Sequence, residues 1–581
     1  MNIMKKIKHI VLAILLLAMA GCDDSFLEMT NKFGANTDTF YKTKADFDAA
    51  LGGVYNSLYL SGGNVFAEEH ITATLLEDVV LGGGGPDDQG AKNVDNFVDP
   101  NDDTYRDLWI ETYNGIFRAN SIIEKLPGVD LSADFANEDE IAAYKKRMLG
   151  EMYFMRGFLL FRGAKFFGGM PLITSTSTPR DVPRSSFGET FGQIAADFQQ
   201  AIDLMPEIDP AAIPAEEFGH ANHWIAQAYL ARVYLFYTGY MTNILDESTT
   251  DIKLPGGDES GSITKQYVID ELTDCVNNSG YALLSDFRNL WPYSYINQSA
   301  GEVKYPWADA EGLAWAGQDG FNSTIGTGNT EVMFSLRYTF GDWSWLRGQR
   351  TTNRASLFMG LRGNSGLTPF GEGWGWGTVH TDFFEQWSND DLRKLGSVIQ
   401  AGVEEEGTAG YQPDKGDHET GLFNKKYMHL EYDDGTGMKG LFNYIYGWTN
   451  TDMQLRHAQD FYYMRFADVL LMLSELTEDA QYMNMVRDRA DLEPIAYSLD
   501  ALKQERLHEF AFEGLRWFDL VRWGDVNDDS KNYYDNEIEV RNSGSTATYK
   551  VTYREETKGL VPVPESEIRL SNGVYEQNPG W

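Results

Sequence analysis

The sequence predicts a mainly α protein: a scaffold of antiparallel helix pairs that carries an irregular, aromatic-rich loop subdomain. Three observations point there. Six segments before residue 280 space their apolar residues at helical intervals. Nine tryptophans then fall between Trp291 and Trp448, in a stretch broken by glycine and asparagine. Helical spacing returns after Phe461.

Phe47 to Leu60 is the first helical segment. Tyr105 to Leu126 is the second, closed by Pro127-Gly128, and Ile141 to Phe167 the third, closed by Gly168-Gly169. Phe187 to Met205 stops at Pro206, Asn222 to Tyr237 stops near Gly239, and Gln266 to Asn277 completes the set. Arrival in pairs is compatible with tetratricopeptide-like hairpins, without a strict repeat of about 34 residues. Beyond Tyr281 the sequence shows short strand-like runs, such as Glu331 to Tyr338, and one short helix near Asp382 to Trp387. Phe461 to Leu476 and Leu499 to Trp523 read as helices again. The expected organisation is a leader over 1–21, a helical scaffold over 22–280, an aromatic-rich ligand-binding subdomain over 281–460, and a helical segment over 461–581 that packs back on the scaffold.

The leader is informative. Lys5, Lys6 and Lys8 precede an apolar run, Ile10 to Ala20, and then Gly21 and Cys22. The run is short of the roughly 20 apolar residues that a membrane span needs. It resembles a bacterial lipoprotein signal, with Met19 where leucine is usual. Cys22 would then carry acyl chains and anchor the chain, since two or more such chains hold stably to a membrane. Asp23-Asp24 behind it resembles the surface-export signal of Bacteroidetes lipoproteins. The expected location is the outer membrane, lipid-anchored and facing the medium.

Composition narrows the function. Formal net charge is −39, and loss of the leader removes three lysines and no acid. Nucleic acids and anionic glycans are repelled, and neutral ligands are left. With Cys22 acylated, Cys275 is the one remaining cysteine, so the core and not disulfides must hold the fold. Signatures of catalysis fail one after another. His508-Glu509 starts a zincin motif, but Phe512 stands where the second histidine belongs. Gly82 to Gly85 lacks the strand–turn–helix setting of a nucleotide loop. Glu505, Glu509 and Glu513 recur at four-residue spacing, with Arg516, Asp519 and Arg522 continuing the row. This reads as a salt-bridge ladder along one helix face and not as an acid/base pair, because arginines lower a carboxyl pKa that a general acid needs raised. Arg465 and Asp468, three apart, read the same way. No enzyme activity and no cofactor are expected. Acidic clusters at Asp102-Asp103 and Asp433-Asp434 leave room for a structural Ca2+, with no ligands assigned.

Sugars have apolar C–H faces and polar rims, so a glycan site needs a flat ring bordered by Asp, Asn or Arg. Two glycine-flanked loops offer this. Trp343 and Trp345 alternate within Gly341 to Arg347, and Trp374 and Trp376 within Gly371 to Gly377. Alternating residues of an extended chain share one face.

Several blocks together resemble the SusD/RagB family of outer-membrane lipoproteins. They are Leu108-Trp109 to Ala119-Asn120, Glu151 to Leu172, Asn329 to Phe334, Tyr463 to Met472, Glu505 to Trp523, and the terminal Asn578-Pro579-Gly580-Trp581. Between Ser474 and Val486 the chain is shorter than the family pattern. The resemblance implies a core of tetratricopeptide-like helix pairs and a partnership with a SusC-like TonB-dependent transporter, to which captured nutrient is passed. The nutrient is usually an oligosaccharide. It also implies polar ligand contacts from the N-terminal region, here the acidic glycine loop Asp78 to Phe97 with Asp78, Asp87, Asp88 and Asn93. Peptide capture, a surface glycoside hydrolase and a ligand-free helical adaptor are the competing readings.

Overall fold

The computed structural model describes residues 40–581 apart from 60–64, 180, 215–216, 258–260, 298–304, 344–350, 365–366, 368, 404–406, 414, 434–437 and 450–451. Cys22, its leader and Trp345 therefore lie outside the described residues.

Among them, ten helices have eight residues or more: α1 (Lys44–Tyr55), α2 (Arg106–Lys125), α3 (Glu138–Phe167), α4 (Phe187–Leu204), α5 (His223–Asn243), α6 (Lys265–Asn278), α7 (Phe466–Thr477), α8 (Ala480–Arg489), α9 (Leu499–Phe510) and α10 (Arg516–Trp523). Their starts follow from local chemistry. Thr43 and Ser186 form capping boxes with Asp46 and Glu189, and Asn137, Asn222, Thr264 and Ser498 each accept a first-turn N–H. α3 ends at Gly168, whose φ of +79° suits glycine.

Consecutive helices pack against each other from α2 through α6. The C-terminal half of α3 is buried on every side, from Gly150 to Phe167. Close approach there needs glycine: a Cβ at Gly150 would sit 2.5 Å from Met205 Cγ. The C-terminal helices return to this body, α10 on α5 and α7 on α6. The last residues do so too. The Asn578 amide donates to the Phe167 and Val561 carbonyls, and the Trp581 indole to Leu560. Cys275 is buried in the core, where burial pushes its thiol up to about 12 and keeps it unreactive.

Four short strands position the rest: β1 (Val80–Gly83), β2 (Val332–Leu336), β3 (Trp376–Val379) and β4 (Phe461–Arg465). β4 corrects the sequence expectation of helix from Phe461. It pairs antiparallel with β2, Phe461 opposite Leu336 and Arg465 opposite Val332. Three aromatic residues in a row favour a strand once a partner is at hand, and tertiary pairing overrides the local helical pattern. The hairpin is fastened to the scaffold by edge-to-face rings, Phe158 at 5.5 Å from Phe334 and 5.3 Å from Tyr463.

The glutamate ladder is the second correction. The helix breaks after Phe510, with Phe512 and Gly514 both at positive φ, so α9 and α10 are separate. Asp519 and Arg522 do pair along α10 at 2.8 Å, but the three glutamates do not pair along one face. Arg465, buried, reaches Glu331 (2.7 Å), Glu509 (2.8 Å) and Glu513 (2.8 Å). Arg489 reaches Glu331 (2.8 Å) and Glu509 (2.5 Å), and Arg393 reaches Glu505 (2.5 Å) and Glu509 (3.2 Å). Arg465 and Asp468 point to different partners, Asp468 being held by Arg232 and Arg506. The family's best-marked blocks thus meet in one buried charge network that joins β2, β4, α8 and α9.

This network gives a pH dependence. Burial alone would raise the Glu509 carboxyl, but Arg489, Arg465 and Arg393 outweigh it and hold it well below its ordinary value. A depressed carboxyl contributes stability above the unfolded value of about 4.5 and loses it as pH falls toward the folded value. Glu68 and Asp95 act oppositely: burial raises them to about 8 and about 7. Their protonated forms fit the fold, so stability falls as pH climbs from about 4.5 through those values. Buried His70 and His457, lowered to about 3, and His418, lowered to about 4, also lose stability as pH falls below about 6.5, so the melting temperature is highest between roughly pH 5 and 7. A scan from pH 3 to 9 checks this; a flat profile from 5 to 9 contradicts it.

Candidate functional site: two aromatic rims

β1 and β3 pair antiparallel, Val80 opposite Val379 and Gly83 opposite Trp376. This brings the acidic glycine loop against the Trp374–Trp376 loop, two regions almost 300 residues apart in sequence. The Gly84 N–H donates to the Gly375 carbonyl at 2.8 Å. A Cβ on Gly83, at φ +67°, would collide with that carbonyl. The glycine here serves backbone packing between two loops, and no ligand is needed to explain it.

The expected site residues then separate. Asp78 is 2% exposed and accepts two hydrogen bonds from the Arg516 guanidinium, both 2.9 Å, plus the Tyr533 N–H at 3.1 Å. Trp376 is 5% exposed, stacked 4.3 Å from Phe358 and 5.7 Å from Phe66. Both are corrections: one carboxylate and one indole that look available in sequence are consumed by the core. Trp374 is half-buried, edge-on to Phe358 at 4.8 Å. Asp87 is exposed, and Asn93 is half-buried on the short helix Gln89–Asp95. Asp88 caps the Gly85 N–H at 2.7 Å and pairs with Arg362 at 3.0 Å, and Arg362 also donates to the Trp374 carbonyl at 3.0 Å. Asp78→Ala strands Arg516 in the interior. It should lower stability by about 3 kcal/mol and leave glycan affinity unchanged, which urea unfolding and calorimetry on one preparation would check.

The second rim is more open. Trp343 is 57% exposed, and its indole N–H donates to the Asp452 carboxylate at 2.7 Å. Its position is fixed by the chain after β2, where the Gly341 N–H donates to the Leu455 carbonyl at 2.7 Å. Three residues back, the Phe340 ring lies 5.1 Å from Trp448, which stacks on Tyr446 at 4.9 Å and 26°. Tyr446 ends the helix Leu441–Tyr446, and Gly447 in the left-handed region turns the chain so that Trp448 can fold back on it. Tyr444 on that helix is 40% exposed. Polar groups border the rings. The Gln318 amide donates to the Tyr446 hydroxyl at 3.2 Å, and Arg337 pairs with Asp319 at 2.5 Å and with Asp460 at 2.6 Å.

Of this rim the sequence singles out Trp343 as a ligand residue. Phe340, Tyr444, Tyr446 and Arg337 are not marked, and Trp448 stands only among the nine tryptophans. The run Tyr444-Ile445-Tyr446-Gly447-Trp448 carries the signal that could have found them. Chemically the rim can stack and hydrogen-bond. Asp452 and Asp319 are each held by a donor, unlike the free acid that glycoside hydrolysis needs. Among the described residues no group of three or more His, Cys, Asp or Glu is arranged to hold a metal.

Comparison with known proteins agrees with this architecture from both ends. A family model described as starch-binding associating with outer membrane matches residues 25–235, and the SusD family model matches residues 371–581. The chain belongs to the SusD-like family. SusD-like protein P2 of Formosa agariphila is 25% identical over 100% of both chains, and a SusD-like protein of Bacteroides ovatus 23% identical over 92% of this chain and 86% of its own. Among solved structures, a laminarin binding SusD-like protein superposes with a TM-score of 0.67 at 22% identity, covering 93% of this chain and 100% of that one. Surface glycan-binding protein A from Bacteroides thetaiotaomicron, in complex with laminarihexaose, gives 0.66 at 18% identity over 92% and 100%. The fold of this SusD-like protein is thereby that of the family, mainly helical. Members of the family bind carbohydrate and are not enzymes.

Proposed function

We propose that this SusD-like protein captures a neutral oligosaccharide at the cell surface and passes it to a SusC-like TonB-dependent transporter, while acyl chains on Cys22 hold it to the outer membrane. The observation that carries the binding reading is Trp343. A large ring is left 57% exposed with its indole N–H already hydrogen-bonded, three residues from Phe340, which meets Trp448 of the stacked pair Tyr446 and Trp448. Exposing such a surface costs solvation free energy that a sugar's C–H face recovers. The net charge of −39 favours neutral ligands. That structural neighbours are named for laminarin and laminarihexaose makes a neutral β-glucan the first ligand to try.

Calorimetric titration of residues 23–581 with neutral hexasaccharides, laminarihexaose first, and with a peptide pool tests the reading. Binding of a glycan supports it. Binding of peptides alone replaces it with peptide capture, and turnover of the glycan would reinstate a hydrolase. Cys22→Ser should release the protein from the membrane fraction.

A further inference from the structure

α2 is apolar on two faces. Leu108, Thr112, Ile116, Ala119 and Ile122 are buried in the scaffold. The outer face carries Ile110, Tyr113 and Phe117, with Asn114 among them, and Phe117 is 49% exposed. A surface helix ordinarily turns polar on that side, so the fold alone does not account for these rings.

They line a groove of about 410 Å3 together with Tyr575 and with Ile173, Ser175, Thr176 and Thr178 of the loop after α3. That volume lies within the roughly 300–1,000 Å3 of small-ligand sites. Its floor is aromatic, with Trp109 at 5.4 Å from Tyr113 and 5.6 Å from Tyr575. The Tyr113 hydroxyl donates to the Pro171 carbonyl at 3.0 Å, which fixes the ring. The loop that gives Ser175, Thr176 and Thr178 to the lining is pre-set from behind: the Thr176 N–H (2.7 Å) and hydroxyl donate to Glu124, and Ser175 and Ser177 share a hydrogen bond of 2.7 Å. Glu567, at the rim, is neutralised by Arg106 at 3.1 Å. None of these elements contributes to the Trp343 rim.

We propose that this groove is a second sugar-binding site, which takes one or two pyranose units of a neutral glycan. Rings below and hydroxyl and amide groups beside them match the two kinds of surface a sugar presents. A purely apolar ligand would leave the Ser–Thr wall unused, and an anion would meet the negative field of the whole chain. The proposal rests on the neutral-glycan reading above for its ligand class.

Titration with laminarihexaose, or with whichever neutral hexasaccharide binds, separates the two. The native chain should bind two equivalents. Trp343→Ala should remove one, Phe117→Ala the other, and the double variant both, with unchanged melting temperatures since both side chains are exposed. A single equivalent that Trp343→Ala abolishes and Phe117→Ala leaves intact overturns the second site and spares the first. A single equivalent lost only in Phe117→Ala overturns the Trp343 reading and supports the groove. If Phe117→Ala instead weakens co-purification with the outer-membrane transporter while glycan stoichiometry stays at one, the groove is a protein-docking surface and the proposal fails.

Discussion

Glu509→Ala is expected to cost about 3–5 kcal/mol of stability. The Glu509 carboxylate is fully buried between Arg465, Arg489 and Arg393. Removing it leaves three guanidinium groups out of water with one counter-charge fewer, and the desolvation cost they already bear is no longer offset. A total stability of about 5–15 kcal/mol makes such a loss large. Glu509→Gln keeps the volume and two polar contacts, so it should fold and still unfold at clearly lower urea. A loss below about 1 kcal/mol would mean that the arginines reach water. The same logic explains why an i, i+4 row of glutamates is so poorly described as a surface ladder. Its partners come from β4, α8, Lys426 and the short helix Leu392–Ser397 that carries Arg393, none of them on the glutamates' own helix.

Trp343→Ala should weaken glycan binding by about 30-fold, or about 2 kcal/mol, the order of an interfacial hot spot. The ring offers its face to solvent while Asp452 fixes its tilt through the indole N–H. Asp452→Asn keeps an acceptor but loses the charge-assisted bond, so its effect should be smaller and of the same sign. Trp376→Phe, by contrast, sits between Phe358 and Phe66 in the core and should alter stability with little effect on affinity.

The helical scaffold was legible because its signals are local. Spacing of apolar residues places α2, α3, α4 and α6 within a few residues of where they lie, while α5 runs on through Gly239, the expected stop, to Asn243. The β4 strand was not, because Phe461 to Arg465 becomes a strand only when Val332 to Leu336 lies beside it. The site was half legible. Glycine-flanked tryptophans mark the right loops, and the β1–β3 pairing joins two of them. Which ring stays exposed depends on what packs over it, and that is long-range. Trp343 remains open and Trp376 does not, although both stand in similar sequence. Asp78 shows the same limit: its partner Arg516 is 438 residues away.

The most direct test is a crystal structure of the lipid-free chain with the neutral hexasaccharide that binds it best. The sugar is expected with a pyranose ring flat against Trp343, its hydroxyls toward Asp452, Arg337 or Gln318. A sugar held instead over Trp374 and Asp88, with Trp343 bare, would contradict the assignment of the binding rim.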